Sequence, residues 1–226
     1  MRLGQSLLIL TLLYFQFSFV AVAKNKPQNY SLESMAFSLD LVDAALERLS
    51  HKVKYDGRYI EIPYPWGDVP NNIGVCTDVV VRAYRKLGID LQQLVHHDMS
   101  RDFSQYPNLP KWQRDQPDPN IDHRRVLNLR VFFARNGSAL PVTKLANDYL
   151  PGDLVTWDIM PGMPHIGIVT DKVSADKKRP LVVHNMGKGP KLDDILFTMK
   201  ITGHFRYQPD INNDLAFKQK HSASVN

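Results

Sequence analysis

Gly74-Val75-Cys76-Thr77-Asp78-Val79-Val80-Val81-Arg82-Ala83-Tyr84-Arg85-Lys86-Leu87-Gly88 is the stretch on which the reading of the fold turns. Counted from Cys76, the apolar residues Val79, Val80, Ala83, Tyr84 and Leu87 recur at the spacing of one face of an α-helix. Thr77, Asp78, Arg82, Arg85 and Lys86 take the other face, and only Val81 breaks the pattern. Gly88 supplies the stop, because glycine accepts the left-handed backbone found just past a helix end. Cys76, the one cysteine of the chain, therefore falls in the first turn of a helix. Unpaired N–H groups and the helix dipole favour an anion there. A reachable thiol at that position is expected to have a lowered pKa and a larger thiolate fraction. The plainer reading is a small buried hydrophobe.

Before this helix, Met35, Leu39, Val42, Leu46 and Leu49 recur at helical spacing and predict an amphipathic helix over residues 31–49. Residues 53–62 read as a strand or extended segment. The prolines of residues 63–70 forbid a helix, and Asn71 to Val75 reads as a loop feeding the Cys76 helix. After it, Leu91, Leu94 and Val95 suggest a short helix that leads into His96-His97-Asp98, and residues 106–119 form a loop rich in Pro and Asp. A second punctuated helix is expected over residues 122–137, with Asp122 as N-cap, Leu129, Phe132 and Phe133 facing the core, and Asn136-Gly137 as the end. His123, Arg124 and Arg125 would then sit in its first turn. Cations are disfavoured at that end, so they call for a carboxylate partner in the protein or on a ligand.

From Pro151 onward the pattern changes to short β-branched or aromatic runs: residues 153–157, 166–170, 181–183, 195–201 and 204–207. No crossover helices separate them, so the sheet should be largely antiparallel. Helices first and a sheet after make the chain α+β.

The chain has 226 residues and suggests one domain over residues 24–208. Arg2, the apolar run from Leu7 to Val22, and Ala21-Val22-Ala23 together read as a secretory signal peptide over residues 1–23. An uncleaved membrane anchor is the alternative. Residues 209–226 read as a disordered polar tail. Localisation is therefore expected to be periplasmic or secreted, with no stable membrane insertion once the signal is cleaved. A net charge of +5 and a pI of about 9.2 suit a polyanionic neighbour. The basic residues are scattered, which does not favour nucleic acid. One cysteine in an exported protein cannot form an internal disulfide, so it is either buried or used.

A cysteine nucleophile needs a base. His165 opens the run His-Ile-Gly-Ile-Val-Thr, and His184 closes Leu-Val-Val-His. With Cys76 at a helix N-terminus against a sheet whose histidines face it, His165 is the expected general base. His184 is then the group that fixes its tautomer. The oxyanion would rest on the Cys76 backbone N–H and one side-chain donor.

These segments resemble the NlpC-type branch of the papain-like cysteine peptidases, bacterial enzymes that cut peptidoglycan peptides. Tyr64-Pro65-Trp66-Gly67-Asp68-Val69-Pro70 and Val75-Cys76-Thr77-Asp78 are similar to that family's Tyr-x-Trp-Gly-Gly and Asp-Cys-Ser-Gly phrases. Gly152-Asp153-Leu154-Val155-Thr156-Trp157 and His165-Ile166-Gly167-Ile168 are similar to its Gly-Asp-Leu-Val-x-Phe and His-Val-Gly-Ile, and His184 matches its third polar residue. The sequence departs from the pattern at Asp68, at Val75 and at Thr77-Asp78. Gly-Val-Cys-Thr-Asp-Val, Asn-Ile-Asp-His-Arg-Arg-Val and His-Asn-Met-Gly-Lys-Gly resemble more closely a bacterial family of exported proteins. The resemblance implies a papain-like α+β fold and a thiol hydrolase with Cys76, His165 and His184 as catalytic residues. Tyr64 would be the oxyanion donor. Tyr64, Asp78, His123, Arg124 and Arg125 are the candidate oxyanion or substrate-positioning residues. Peptidoglycan peptides are the expected partner, their carboxylates meeting Arg124, Arg125 and, as further candidates, Arg82 or Lys188. No cofactor and no metal are expected. Two other readings stand beside this one. One is an inactive cell-wall-binding protein on the same fold. The other is a zinc-dependent hydrolase using His165, His184, His123 or the His96–Asp98 cluster.

Overall fold

A computed structural model describes residues 31–209 of the chain. The expected signal segment and, beyond Pro209, the expected tail lie outside the described residues. Among the described residues, four α-helices and a five-stranded antiparallel sheet make the protein α+β. The helices are α1 (Leu32–Glu47), α2 (Cys76–Lys86), α3 (Leu91–Arg101) and α4 (Val126–Arg135). A two-residue parallel pair, β1 (Lys54–Tyr55) with β2 (Ile73–Gly74), precedes α2. The main sheet holds β3 (Leu154–Met160), β4 (Met163–Val173), β5 (Pro180–Asn185), β6 (Pro190–Asp193) and β7 (Lys200–Phe205). Its order is β6-β5-β4-β3-β7. None of the helices among the described residues is long and apolar enough to cross a membrane.

The central helix forms where its periodicity predicts, and Gly88 ends it with φ +78°. Much of its polar face is not solvated, however, although Lys86 stays exposed. Thr77, Asp78 and Arg82 are buried, because the chain before and after α2 wraps over that face. In α1, Ser31 caps the start by accepting from the Ser34 N–H at 3.1 Å. The buried stripe is Ser38, Leu41, Val42, Ala44 and Ala45. Met35 and Leu39 of the predicted stripe lie 46% and 44% exposed. Leu41, Ala44 and Ala45 pack with α2 in one core, and the Phe37 ring lies 6.2 Å from that of Tyr84.

The helix predicted from Asp122 begins four residues later. Asp122–Arg124 is a 3₁₀ turn, and Arg125, with extended backbone, stands at the N-cap of α4. Asp122 is diverted from capping. Its carboxylate accepts from the Asp118 N–H at 2.5 Å and pairs with Arg125 at 3.0 Å. In the sheet, the two runs predicted at residues 195–201 and 204–207 become one strand, β7, preceded by a turn. Leu196 in that turn is fully buried and takes the Trp157 indole N–H on its carbonyl at 3.0 Å. β6, an edge strand opening on Pro190, was not anticipated; an edge strand and a strand's first residue are both places that tolerate proline.

The sheet separates two cores. Leu154, Ile166, Ile168 and Val183 project to the face packed by α1, α2 and α4. Val155, Trp157, Val169 and Val182 project to the other face, covered by Tyr149 and Leu196.

The loop of residues 63–70 is fixed from two sides. Asp90 and Gln92, at the start of α3, take the N–H groups of Trp66 (2.7 Å) and Gly67 (2.8 Å). The Gln92 amide also donates to the carbonyls of Pro63 and Pro119. From α2, Arg82 and Arg85 both reach the Asp68 carboxylate, at 2.9 and 2.8 Å. Gly67 is required here: a Cβ would lie 1.8 Å from the Pro63 carbonyl oxygen. Gly67→Ala is therefore expected to cost about 2–3 kcal/mol through forced backbone movement. Thermal unfolding should show a melting temperature lower by roughly 5–10 °C for a domain of this size. An unchanged melting temperature would mean that the loop is not clamped.

Candidate active site

Cys76 is the first residue of α2 and is 4% exposed. The backbone N–H groups of Thr77 and Ile166 are directed at its sulfur, and the Tyr55 hydroxyl lies within hydrogen-bonding reach of it. The sequence placed the thiol correctly but mistook its ionisation. Burial pushes the Cys76 thiol up to about 11, and the Asp78 carboxylate adds to that. The N–H groups and Tyr55 pull the other way without overcoming it. Desolvation outweighs the helix terminus, so the resting sulfur is a thiol, not a thiolate. Burial and the adjacent sulfur push the Tyr55 phenol up to about 12, so it remains a hydrogen-bond donor.

Asp78 and Arg124 meet behind the sulfur. Arg124 is bidentate to Asp78 at 2.9 and 3.0 Å, and the two side chains are 1% and 4% exposed. The same carboxylate accepts from the Val75 N–H at 2.6 Å, which closes the first turn of α2. The Thr77 hydroxyl donates to the Arg124 carbonyl at 3.0 Å. Arg124 has thus found its carboxylate inside the protein. Arg125 is half-buried, paired with Asp122 and stacked 4.1 Å over the Trp112 ring. His123 is 2% exposed with Nδ1 unpartnered, and burial followed by the Arg124 charge pushes its pKa down to about 3.

His165 and His184 come together on neighbouring strands. The β4–β5 ladder pairs Gly167 with His184, and His165 Nε2 lies 3.1 Å from His184 Nδ1. A Cβ on Gly167 would sit 2.6 Å from Val182 Cγ1 and 3.2 Å from the His184 Cβ, so glycine at this position leaves room for the pair. His184 Nε2 in turn lies 3.2 Å from the Asp193 carboxylate on β6. These contacts assign the protons. A neutral His184 donates from Nε2 to Asp193 and so accepts at Nδ1. His165 must then donate from Nε2, which leaves its Nδ1 as the basic nitrogen. Burial, followed by the His184 charge, pushes His165 down to about 3. Burial also lowers His184, against the opposing pull of Asp193.

The expectation that both histidines face the Cys76 helix needs correction. His165 is the cross-strand partner of Trp157, and their rings lie 5.9 Å apart. Strand alternation puts His165, Gly167 and His184 on the Trp157 face, whereas Ile166 points into the core under α2. The sulfur meets β4 at the Ile166 N–H, one residue beyond the end of the β4–β5 ladder and next to His165. Among the described residues no hydrogen bond joins the sulfur to either histidine.

Tyr64 also stands elsewhere. It is 44% exposed and packs edge-on against His96, ring centroids 5.0 Å apart. Tyr55 takes the place beside the sulfur. Only the pairing of β1 with β2, two residues before Cys76, carries Tyr55 there, and a two-residue strand leaves almost no periodic signal. Asp193 was likewise missed, because it lies on the unanticipated β6. In α3, Asp98 accepts from the Tyr106 hydroxyl at 2.6 Å and from Arg135 at 2.7 Å.

A cleft of about 850 Å³ opens beside the sulfur. Tyr55, Tyr59, Cys76, Trp112 and Val126 line it, with Asp158 and Pro164 at the β3–β4 end.

The chain belongs to the family described as "Domain of unknown function (DUF1287)", whose model matches residues 42–207. The uncharacterized protein YijF of Escherichia coli (strain K12) is similar to it, 45% identical over 170 residues that span 75% of this chain and 82% of the relative. No solved structure matches.

Two outcomes are expected from this ionisation pattern. Only thiolate reacts with iodoacetamide, so Cys76 of the folded protein should alkylate slowly at pH 7. The rate should climb about tenfold per pH unit toward pH 11, as a thiol pKa of about 11 requires. A plateau below pH 8 would contradict the buried-thiol assignment. Second, His123 and His165 have folded pKa values of about 3, below the ordinary 6.5. A depressed histidine contributes stability that is complete above the unfolded pKa and lost as pH falls through the folded one. Chemical denaturation at stepped pH should show stability falling from pH 6.5 toward 3, with proton uptake on unfolding. His123→Gln should make that acid limb shallower.

Proposed function

We propose that this protein is an exported thiol hydrolase of the NlpC-type papain-like class, cleaving amide bonds in peptidoglycan stem peptides or cross-links. The observation that carries the reading is the chain His165, His184, Asp193, with the Cys76 sulfur meeting the same strand at the neighbouring Ile166 N–H. A cysteine opens a helix, and its sulfur meets the strand next to a histidine whose basic nitrogen is set by a second histidine and a carboxylate. The order of elements supports the papain-like assignment: a cysteine-bearing helix first, then an antiparallel sheet with the histidines on adjacent strands. Residues 1–23 support export to the periplasm or beyond.

In this mechanism, substrate entering the cleft brings its carbonyl to the sulfur. The mechanism requires substrate binding to bring His165 Nδ1 around the end of β4 into hydrogen-bonding reach of the sulfur; the thiol proton then passes to His165 Nδ1 as sulfur attacks the carbonyl carbon, so no thiolate need exist beforehand. The oxyanion takes the Cys76 N–H, and Tyr55 replaces Tyr64 as the side-chain donor. The His165 imidazolium returns its proton to the leaving amine, giving a thioester on Cys76. Water then attacks the thioester with His165 again as base, releasing the carboxylic acid and the thiol. Asp78 and Arg124 position the helix start and touch no substrate.

A second reading, a binding protein without turnover, is favoured by the protonated thiol and by the lack of a described sulfur–histidine hydrogen bond. Mass spectrometry of muropeptides incubated with the protein separates the two. The hydrolase reading expects new fragments from the wild type and none from Cys76→Ala. Asp193→Ala should lower kcat about tenfold or more with KM little changed, because the His165 tautomer is no longer fixed. Fragments released equally by Cys76→Ala, or by neither protein while both bind muropeptides, would end the hydrolase reading.

A further inference from the structure

The cleft beside Cys76 carries five cationic residues, Lys111, Arg114, Arg124, Arg125 and Arg130, and one carboxylate, Asp158. Three of the cations are answered from behind the wall. Arg124 is bound to Asp78, Arg125 to Asp122, and Arg114 to Asp118 at 2.7 Å. Lys111 and Arg130 have no ion-pair partner among the described residues. Arg130 makes one described hydrogen bond, from Nη2 to the Thr202 carbonyl at 2.9 Å, which leaves the rest of the guanidinium edge unused. Val126, Leu127 and Arg130 share one stripe of α4, since residues three and four apart on a helix are neighbours. Arg130 therefore follows directly on the apolar part of the cleft wall.

The loop that carries Lys111 is held in place. Trp112, its neighbour, lies under the Arg125 guanidinium at 4.1 Å, and Arg114 is tied to Asp118. A cation–π contact and an ion pair thus flank Lys111 and present it at the mouth of the cleft. A cleft with unspent cations between aromatic and aliphatic surfaces selects an anionic ligand that also carries apolar bulk.

We infer that Arg130 and Lys111 form the subsite of the Cys76 cleft that takes a free carboxylate of a short peptide, and that the buried Arg124 and the stacked Arg125 do not. The inference deepens the thiol-hydrolase reading by naming what the cleft selects, and it rests on that reading for the peptide. A peptide carboxylate fits better than a phosphate group. The two free cations are separate side chains on different elements beside apolar wall, and monoanionic carboxylates spaced along a peptide match that layout.

The test is direct binding to the full-length protein, with Cys76→Ala alongside so that turnover does not enter. The probe is an N-acetylated Ala-Glu-Ala peptide with both carboxyls free, against the same peptide with both carboxyls as amides. The free acid should bind at least tenfold more tightly, and its advantage should shrink as salt rises from low to high concentration. Arg130→Gln should cost the acid about tenfold and leave the amide unchanged, and Arg130→Lys should restore much of the loss. Lys111→Gln should act in the same direction, and the double variant should bind both peptides equally. The amide binding as well as the acid, or the acid unaffected by both substitutions, would overturn the inference. So would glycerol phosphate displacing the probe far better than a dicarboxylate does. Acid selectivity in a protein that releases no muropeptide fragments would leave the subsite standing and remove only the hydrolase reading.

Discussion

The buried ion pair between Asp78 and Arg124 holds the site together. One carboxylate closes the first turn of the Cys76 helix by accepting the Val75 N–H, and it also receives two nitrogens of Arg124. Arg124 belongs to the turn before α4; its Nη1 donates to the Arg58 carbonyl, and its Nη2, which also binds Asp78, donates to the Asp56 carbonyl, just beyond the strand that carries Tyr55. Three separate pieces of chain thus converge on one ion pair. The charges are tolerable in the interior because every partner is present; removing one would leave the other buried and unpaired, typically costing about 3–5 kcal/mol.

The same burial that makes this pair possible decides the chemistry of the sulfur. A thiol at a helix start is favoured as an anion only while solvent or a cation can share the charge. Here the sulfur is enclosed by the core under α2, with Asp78 close behind it, and the proton stays on. The histidines are enclosed as well and stay neutral. In the proposed mechanism, a neutral thiol and a neutral base form a resting state that moves a proton only when a substrate supplies the place where negative charge develops. Asp193, on the edge strand β6, fixes both imidazole tautomers and so would set the direction of that proposed transfer.

Much of this was legible in the residues. The apolar period after Cys76, the stop at Gly88 and the change to β-branched runs after Pro151 gave the helices, the sheet and its antiparallel sense. The three residues of the proposed chemistry were found from residue type and position along those elements. What misled was whatever depended on a neighbour distant in sequence. Asp122 has the chemistry of an N-cap but is drawn to Asp118 and Arg125. Tyr64 sits in a recognisable phrase but leans on His96, while Tyr55, in an undistinguished stretch, reaches the sulfur. Asp68, a departure from the resembled pattern, proves to be the acceptor for Arg82 and Arg85.

The sequence by itself determined the class of the fold, the place of Cys76 at the start of a helix and the placement of His165 and His184 on strands. These follow from local periodicity, which neighbouring residues enforce through backbone geometry. Only the tertiary structure decided that the thiol is protonated, that Arg124 is spent on Asp78, that Tyr55 and Asp193 come to the sulfur and to His184, and that Lys111 and Arg130 are the cleft cations without an ion-pair partner among the described residues. Each of these depends on desolvation or on a pairing across tens of residues, and neither quantity is encoded in any single stretch of the chain.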